Sequence, residues 1–413
     1  MGSVAIFHRL EVAEELALSL LGDNPLFQAG RSGLFLAGPR RTGKSTFLRS
    51  DLIPTVEARG ALAVYVDLWS DKTRNPADLI AEAIRDRLAE TAGFARKSSA
   101  VLAKVRKAGV KAKLAGFDAD LGFEIESIGK SGGATLSKAF EAMHQATGKQ
   151  IVFIIDEAQH ALSTAEGSST LFALKAARDA LNLTSDRPGL AILATGSVRG
   201  KISDLVSRKS QAFYGAAVSD FPPLGKAFVQ FLVGVMLSHR LPRTRLPETE
   251  KVMEAFELLG RRPEELAKAI QGSISRPEPD LGDAVLAVAR DLHARMIDQL
   301  RQEFGRLPPL HQAILRVMAR DEESFAPFSK ATVERYRQDT GDPNVTSTMA
   351  QKALDALIRD ALVWRSAHGA YALDDEILAD YLFDHEAAQL LTERPRQNEP
   401  ADGAPVSAPR RRR

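Results

Sequence analysis

The sequence predicts an α/β protein: a parallel sheet covered on both faces, then an all-helical segment, then a winged-helix domain. Three observations carry that expectation. Short, wholly apolar runs alternate with amphipathic helical patterns through the first half of the chain, as they do where parallel strands are buried on both sides. After Pro222-Pro223 those runs stop and only helical periodicity remains. Near the end, three helical patterns precede two short apolar runs around Gly369, the order of elements in a winged helix.

Taken in order, residues 11–21 form an amphipathic helix. Residues 33–37 are a strand that enters a glycine-rich loop, with a helix from about Gly43. Residues 61–68 are the second strand. Asn75-Pro76 then opens a helix over 77–89, with Pro in the first turn, where its missing N–H costs nothing. The stretch 91–149 is less regular. It holds Arg96, Lys97, Lys104, Arg106, Lys107, Lys111 and Lys113 without an intervening acid. Phe117, Leu121, Phe123 and Ile125 then alternate with polar residues, as in an edge hairpin. Residues 151–155 and 190–194 complete the sheet.

Beyond Pro223, helices over 226–240, 248–259, 263–271 and 283–304 read as a lid. Leu307-Pro308-Pro309 marks a second boundary. Helices over 311–319, 329–338 and 346–360 follow, then Leu362-Val363-Trp364 and Tyr371-Ala372-Leu373. The Pro- and Ala-rich tail is expected to be disordered. The expected division is 1–222 for the sheet domain, 223–306 for the lid, 307–391 for the winged helix and 392–413 for the tail.

At 413 residues the chain implies two or three domains. Its 44% hydrophobic and 26% charged residues indicate a globular protein rather than a disordered one. There is no cysteine, which excludes disulfides, zinc ribbons and thiol catalysis. The first residues lack a signal-peptide pattern, and the longest strongly apolar run, 228–237, is too short to span a bilayer. A soluble, cytoplasmic protein without a membrane partner is expected.

Gly38-Pro39-Arg40-Arg41-Thr42-Gly43-Lys44-Ser45 fits the phosphate-loop pattern G-x-x-x-x-G-K-[ST] in full and lies between a strand and a helix. Glycines let backbone N–H groups curl around phosphates, and the helix N-terminus favours negative charge. With Thr46, these residues form the expected nucleotide cradle. Lys44 is expected to act on the β- and γ-phosphates, and Ser45 to bind Mg²⁺. The strand 151–155 then delivers Asp156, expected to hold Mg²⁺ through water, and Glu157, the expected general base. An isolated Asp-Glu pair reads as a helix N-terminus; the buried strand before it and the phosphate loop favour catalysis.

Strand 190–194 delivers Thr195-Gly196-Ser197. Thr195 and Ser197 either sense the γ-phosphate or form an ordinary strand-end turn. Arg262, just before a lid helix, either reaches back to the phosphates or belongs to a solvated arginine pair with Arg261. Arg199 and Arg208 are weaker candidates for a finger into a neighbouring subunit, and surface residues are the better reading. Asp156-Glu157-Ala158-Gln159 with His160 suggests a helicase DExx box, yet no second lobe follows. No Asn-Lys-x-Asp segment is present, which favours ATP over GTP.

The phosphate loop, the strand ending Ile-Ile-Asp-Glu-Ala-Gln and the later Ala-Thr-Gly-Ser together resemble the archaeal-type ATPases, an AAA+/STAND-related group of P-loop proteins. The resemblance spans about 10–373. It implies an ASCE, AAA+-like P-loop NTPase core, with an added strand and the catalytic Glu beside the Asp. It further implies a helical lid, a C-terminal winged helix, and ATP with Mg²⁺ on Lys44, Ser45, Asp156 and Glu157. Three features depart from the group. Many relatives carry a nuclease-like domain after the winged helix, whereas a short tail follows here. The segment between the second and third strands is long, and no motif places an arginine finger.

Two uses of ATP stay open. One is a slow switch that couples nucleotide state to homo-oligomer assembly or to a protein partner. The other is a DNA-associated ATPase of the transposition, replication or defence kind, with 346–360 entering the major groove of duplex DNA. From Pro308 to His385, eight basic residues face thirteen acidic ones, contrary to the basic face that phosphate binding requires. Basic residues gather instead at 96–113, 240–245 and 410–413, and any DNA contact is expected at 96–113 and the tail rather than at the winged helix. For 96–113, a solvated helix face or an acidic neighbouring subunit is the competing reading.

Overall fold

The computed structural model describes residues 6–22, 32–71, 73–105, 135–183, 188–197, 202–203, 205–206, 209–237, 246–274, 276, 280–321, 324–360, 362–365, 371–373, 378 and 381–382. Side chains are described only to Thr91 in the helix that ends at Val105. The hairpin expected near 117–125, the basic residues at 106–113 and 240–245, Arg199, Arg208 and the tail lie outside the described residues, whereas Arg96, Lys97 and Lys104 fall in the last part of that helix.

Five parallel strands form the main sheet: β1 (Leu34–Ala37), β2 (Leu62–Asp67), β3 (Ile151–Asp156), β4 (Leu190–Gly196) and β5 (Ala217–Asp220). Their order is β2-β3-β4-β1-β5, so β4 is the strand inserted between β3 and β1. The first four match the expected apolar runs. The fifth does not, because it is a largely exposed edge strand whose extended form is held by parallel pairing with β1, from Leu34 opposite Ala217 to Ala37 opposite Asp220.

Alternation along the strands gives each face its own core. Val64, Phe153, Ile155 and Ile192 pack on one side with residues of α3 (Pro76–Val105), α4 (Leu136–Thr147) and α5 (Ala165–Asn182). Leu36, Val152, Ile154 and Leu193 pack on the other side with α1 (Leu10–Leu21) and with the helix over 44–58, α2. Helix α2 begins as Lys44–Phe47, widens into a π turn at Leu48–Leu52 and finishes as Ile53–Ala58. Pro54 has no N–H to donate back into that turn. Each large side chain fully buried here stabilises by roughly 1.5–3 kcal/mol, which explains why β3 and β4 carry no polar residue until their ends.

The lid comprises α6 (Lys226–Phe231, with a π continuation at Leu232–Leu237), α7 (Thr249–Leu258), α8 (Pro263–Ser273) and α9 (Leu281–Gly305). They surround Val229, Phe256, Leu266 and Val285. Phe7 reaches this cluster from the N-terminal segment and meets Phe228 and Phe231 at 5.7 and 5.4 Å. Helix α9 serves two cores: Val285 and Ala289 join the lid, while Ile297, Leu300 and Phe304 pack on the C-terminal cluster. Packing therefore crosses the boundary expected at 306.

The C-terminal domain is a winged helix: α10 (Pro309–Asp321), α11 (Lys330–Thr340) and α12 (Ser347–Arg359), then an antiparallel pair of β6 (Val363–Arg365) and β7 (Tyr371–Leu373). Ser329 and Thr346 cap α11 and α12 by accepting from Thr332 N–H and Met349 N–H. No helix among the described residues is long and apolar enough to cross a membrane.

Candidate functional site

Strand register collects the polar tips at one edge of the sheet. Ala37 lies level with Gly196 on one side and Asp220 on the other, and Asp67 lies level with Asp156. Gly38 N–H donates to Gly196 O at 3.1 Å, tying the loop after β1 to the tip of β4. Open parallel sheets bind ligands at this carboxyl edge.

The loop is set by backbone geometry. Gly43 has φ 88°, a left-handed conformation that a side chain resists. Thr42 Oγ1 donates to Pro39 O at 2.9 Å. Lys44, only 5% exposed, donates from Nζ to Gly38 O and Pro39 O, each at 2.7 Å. Its ammonium thus lies inside the curl of the loop, while Ser45 and Thr46 are exposed on the first turn of α2.

Asp156 is wholly buried, and hydrogen bonds offset the cost of burying its charge. Tyr65 Oη donates to Oδ2 at 3.0 Å, Glu157 N–H donates to Oδ1 at 3.1 Å, and Thr195 Oγ1 also donates to Oδ1. Burial, and then the charge of Asp156, push the Tyr65 phenol well above its ordinary pKa, so Tyr65 stays a donor. Arg49 lies over the Tyr65 ring at 4.8 Å and pairs with Asp67 at 3.5 Å. Burial also raises the Asp67 carboxyl, partly opposed by Trp69 N–H, while Asp156 and Glu157 add to the rise.

Glu157 follows at φ 54°, an uncommon conformation for a residue with a side chain. Its Oε2 accepts from Ser197 Oγ at 2.7 Å, from Ser197 N–H at 3.3 Å and from Gln159 Nε2. Arg40 of the loop donates from Nε to the same Ser197 Oγ at 3.2 Å and lies 5.2 Å over the Trp69 ring. A Cβ at Gly196 would lie 2.3 Å from Gln159 Oε1 and 2.5 Å from Ile202 Cγ1, so only glycine permits this approach.

The structure gathers Gly38 to Thr46, Asp156, Glu157, Thr195 and Ser197 at one edge. Thr195 is fully buried and donates to Asp156. Ser197 donates to Glu157. Arg262 is the N-cap residue of α8. Beside it, Glu264 and Glu265 approach Arg41 of the loop at 4.0 and 3.5 Å, so carboxylates make the recorded lid-to-loop ion pairs. Sequence reading missed Tyr65, Arg49 and Gln159 as members of the site. Tyr65 reads as one more apolar strand residue, and its partner lies 91 residues away.

No family model and no curated protein matches the sequence. Among solved structures, the ADP form of the ORC2 protein of Aeropyrum pernix matches at 15% identity. The match covers 95% of this chain and 97% of that one, with a TM-score of 0.54. The likeness is one of fold: an AAA+-like P-loop parallel-sheet core followed by a helical lid and a winged helix. Also similar are the ORC1 protein of Aeropyrum pernix in complex with DNA (17% identity, 93% and 95% covered, TM-score 0.40) and Cdc6p of Pyrobaculum aerophilum (16%, 93% and 97%, 0.35). Strand β4 lies between β3 and β1, and the serine just past its tip is the one bonded to Glu157.

Proposed function

We propose that this chain is an ATP-binding and ATP-hydrolysing switch of the AAA+/STAND type, in which nucleotide state governs assembly with further copies or binding of a protein partner. The supporting observation is the convergence of the Lys44 loop, buried Asp156 and Glu157 on one sheet edge. Lys44 and the loop N–H groups bind phosphate oxygens, and Arg40 and Arg41 add positive charge at the rim. The donor set fits magnesium: Asp156 accepts from three donors that fix its carboxylate at the sheet edge, and the Ser45 hydroxyl is exposed next to Lys44. Ser45 and Asp156 would hold the ion, which neutralises charge on the phosphates when bound. Glu157 takes a proton from the attacking water. The Arg41 pairs with Glu264 and Glu265 join the loop to the lid, so anions that compete for Arg41 bias the lid position.

A second reading, duplex DNA binding, draws on one surface. The exposed positions of α12 before Asp355 are Ser347, Thr348, Met349, Gln351 and Lys352, a polar, acid-free stretch on an otherwise acidic domain.

The test follows ATP binding, turnover and molecular mass for wild type, Lys44→Ala and Glu157→Gln, with and without duplex DNA. We expect Lys44→Ala to lose ATP binding. Glu157→Gln should keep it while turnover falls about 10²- to 10³-fold, and mass should rise with ATP. A wild type that binds no ATP, or a Glu157→Gln variant with full turnover, refutes the reading. Stimulation by DNA would move the weight to the second reading.

A further inference from the structure

Three consecutive residues ahead of α1 grip three separate parts of the molecule. Phe7 packs its ring against Phe228 and Phe231 of lid helix α6, at 5.7 and 5.4 Å. His8 Nδ1 meets Asp51 Oδ1 at 2.6 Å, and Arg9 N–H donates to Asp51 Oδ2 at 3.0 Å. The Arg9 guanidinium donates from Nη2 to Pro222 O at 2.8 Å, where the chain crosses from the sheet domain to the lid.

Each grip falls on a part that frames the phosphate loop. Asp51 lies in the π turn of α2, the helix that starts at Lys44, and such turns interrupt helices at functional positions. Its side chain is only 2% exposed. A buried carboxylate is costly unless partnered, and both hydrogen bonds recorded for it come from residues 8 and 9. Arg9 also lies over the Phe221 and Phe47 rings, at 4.8 and 5.6 Å, an attraction of cation for ring face. A Cβ at Gly38 would lie 3.0 Å from Phe221 Cβ, and one at Gly43 4.0 Å from Leu224 Cδ1. The crossing into the lid therefore runs alongside the loop.

We propose that Phe7, His8 and Arg9 form a strap that holds the lid against the sheet domain. Release of either end lets the lid swing about residues 222–225 and lets bound nucleotide leave. The core end is a pair of bonds to one buried carboxylate, the lid end a pair of ring contacts, and Arg9 fixes the crossing between them. Three extended residues span at most about 10 Å, so the strap has no slack, and loosening one end loosens the other. The link to nucleotide release rests on the reading of the Lys44 loop as an ATP site; the hold on the lid does not.

The experiment alters the core end and reads the lid end. Amide hydrogen exchange over Lys226–Phe231 and release of a fluorescent ADP analogue are followed in the full chain. The proteins are wild type, His8→Ala, Asp51→Asn, Phe7→Ala and the Phe7→Ala/His8→Ala double variant. His8 is half exposed, so its removal leaves the cores intact. His8→Ala should speed exchange in the lid about 5- to 10-fold, the scale of losing one hydrogen bond to a charged group, and ADP release by a similar factor. Asp51→Asn keeps the side-chain shape and should do the same. Phe7→Ala should act at least as strongly. The double variant should exceed the larger single effect by less than about two-fold, because residues of one strap are not additive.

Unchanged lid exchange in His8→Ala or Asp51→Asn overturns the strap. Effects that multiply in the double variant mark two independent contacts and overturn it as well. Faster lid exchange with unchanged ADP release overturns the link to nucleotide release while leaving the strap in place. A wild type that binds no nucleotide refutes the ATP reading, and lid exchange still decides the strap.

Discussion

The sheet domain and the winged helix both enclose an apolar core, but they treat polar groups in opposite ways. The sheet domain buries Thr42, Lys44, Asp51, Asp156, Gln159, Arg178, Thr195 and Ser197. Several of these lie within one hydrogen-bonded edge. The winged helix, from α10 onward, buries only Thr332 among its described non-aromatic polar residues, together with the hydroxyl of the core residue Tyr336. Buried polar groups cost free energy unless partnered, and a partnered network restricts geometry more than it adds stability. The contrast separates a region shaped by chemistry from one shaped by packing. It also explains why the functional argument rests on the first, and why the winged helix contributes a surface.

The largest expected effect that would break this comparison is in the winged-helix core. Leu354, at 1% exposure, packs in that cluster, and Leu354→Ala should cost about 2–5 kcal/mol. Thermal unfolding followed by calorimetry should show a lowered transition while ATP binding by the sheet domain is unchanged. If ATP binding falls in step, the two regions are one cooperative unit and the comparison fails.

A smaller effect sharpens the other side. Tyr65→Phe removes one donor from buried Asp156 and should destabilise by roughly 1.5–3 kcal/mol, with weaker Mg²⁺–ATP binding as well. Stability loss without any loss of nucleotide affinity would make Tyr65 a packing residue rather than part of the site.

The smallest effect concerns pH. Burial raises the Asp67 carboxyl, so the folded state holds its proton more tightly than the unfolded chain. Ionising it therefore weakens the fold: the stability it contributes is complete below the unfolded carboxylate pKa and is lost as pH rises through the folded value. Asp67→Asn should raise the melting temperature by about a degree at neutral pH, and the gain should disappear below the ordinary carboxylate range. A variant that melts lower at neutral pH would show that the Arg49 pair outweighs burial.

Much of the fold was legible because its signals are local. An apolar run such as Ile151 to Ile155 reads as a strand buried on both sides, and Gly43-Lys44 reads as a loop that needs a left-handed residue before a helix. Strand β5 was not legible, since Ala-Val-Ser-Asp has no run of apolar residues and is extended only through its pairing with β1. Within the site, the positions of Asp156 and Glu157 at a strand end could be read directly. The partners of their carboxylates could not.

By itself, the sequence determined which segments become buried strands, where the phosphate loop turns, and that both carboxylates follow β3 directly. These depend on residue type and on spacing along the chain, which the backbone converts into faces and turns without outside help. Only the tertiary structure decided that Thr195 faces Asp156, that Ser197 and Arg40 meet on one hydroxyl beside Glu157, and that the lid presents Glu264 and Glu265 to Arg41. Those pairs are separated by 39 to more than 200 positions. The first two meet because the register of a parallel sheet brings distant strand ends to a common edge, and the third because the lid helix α8 lies beside the loop.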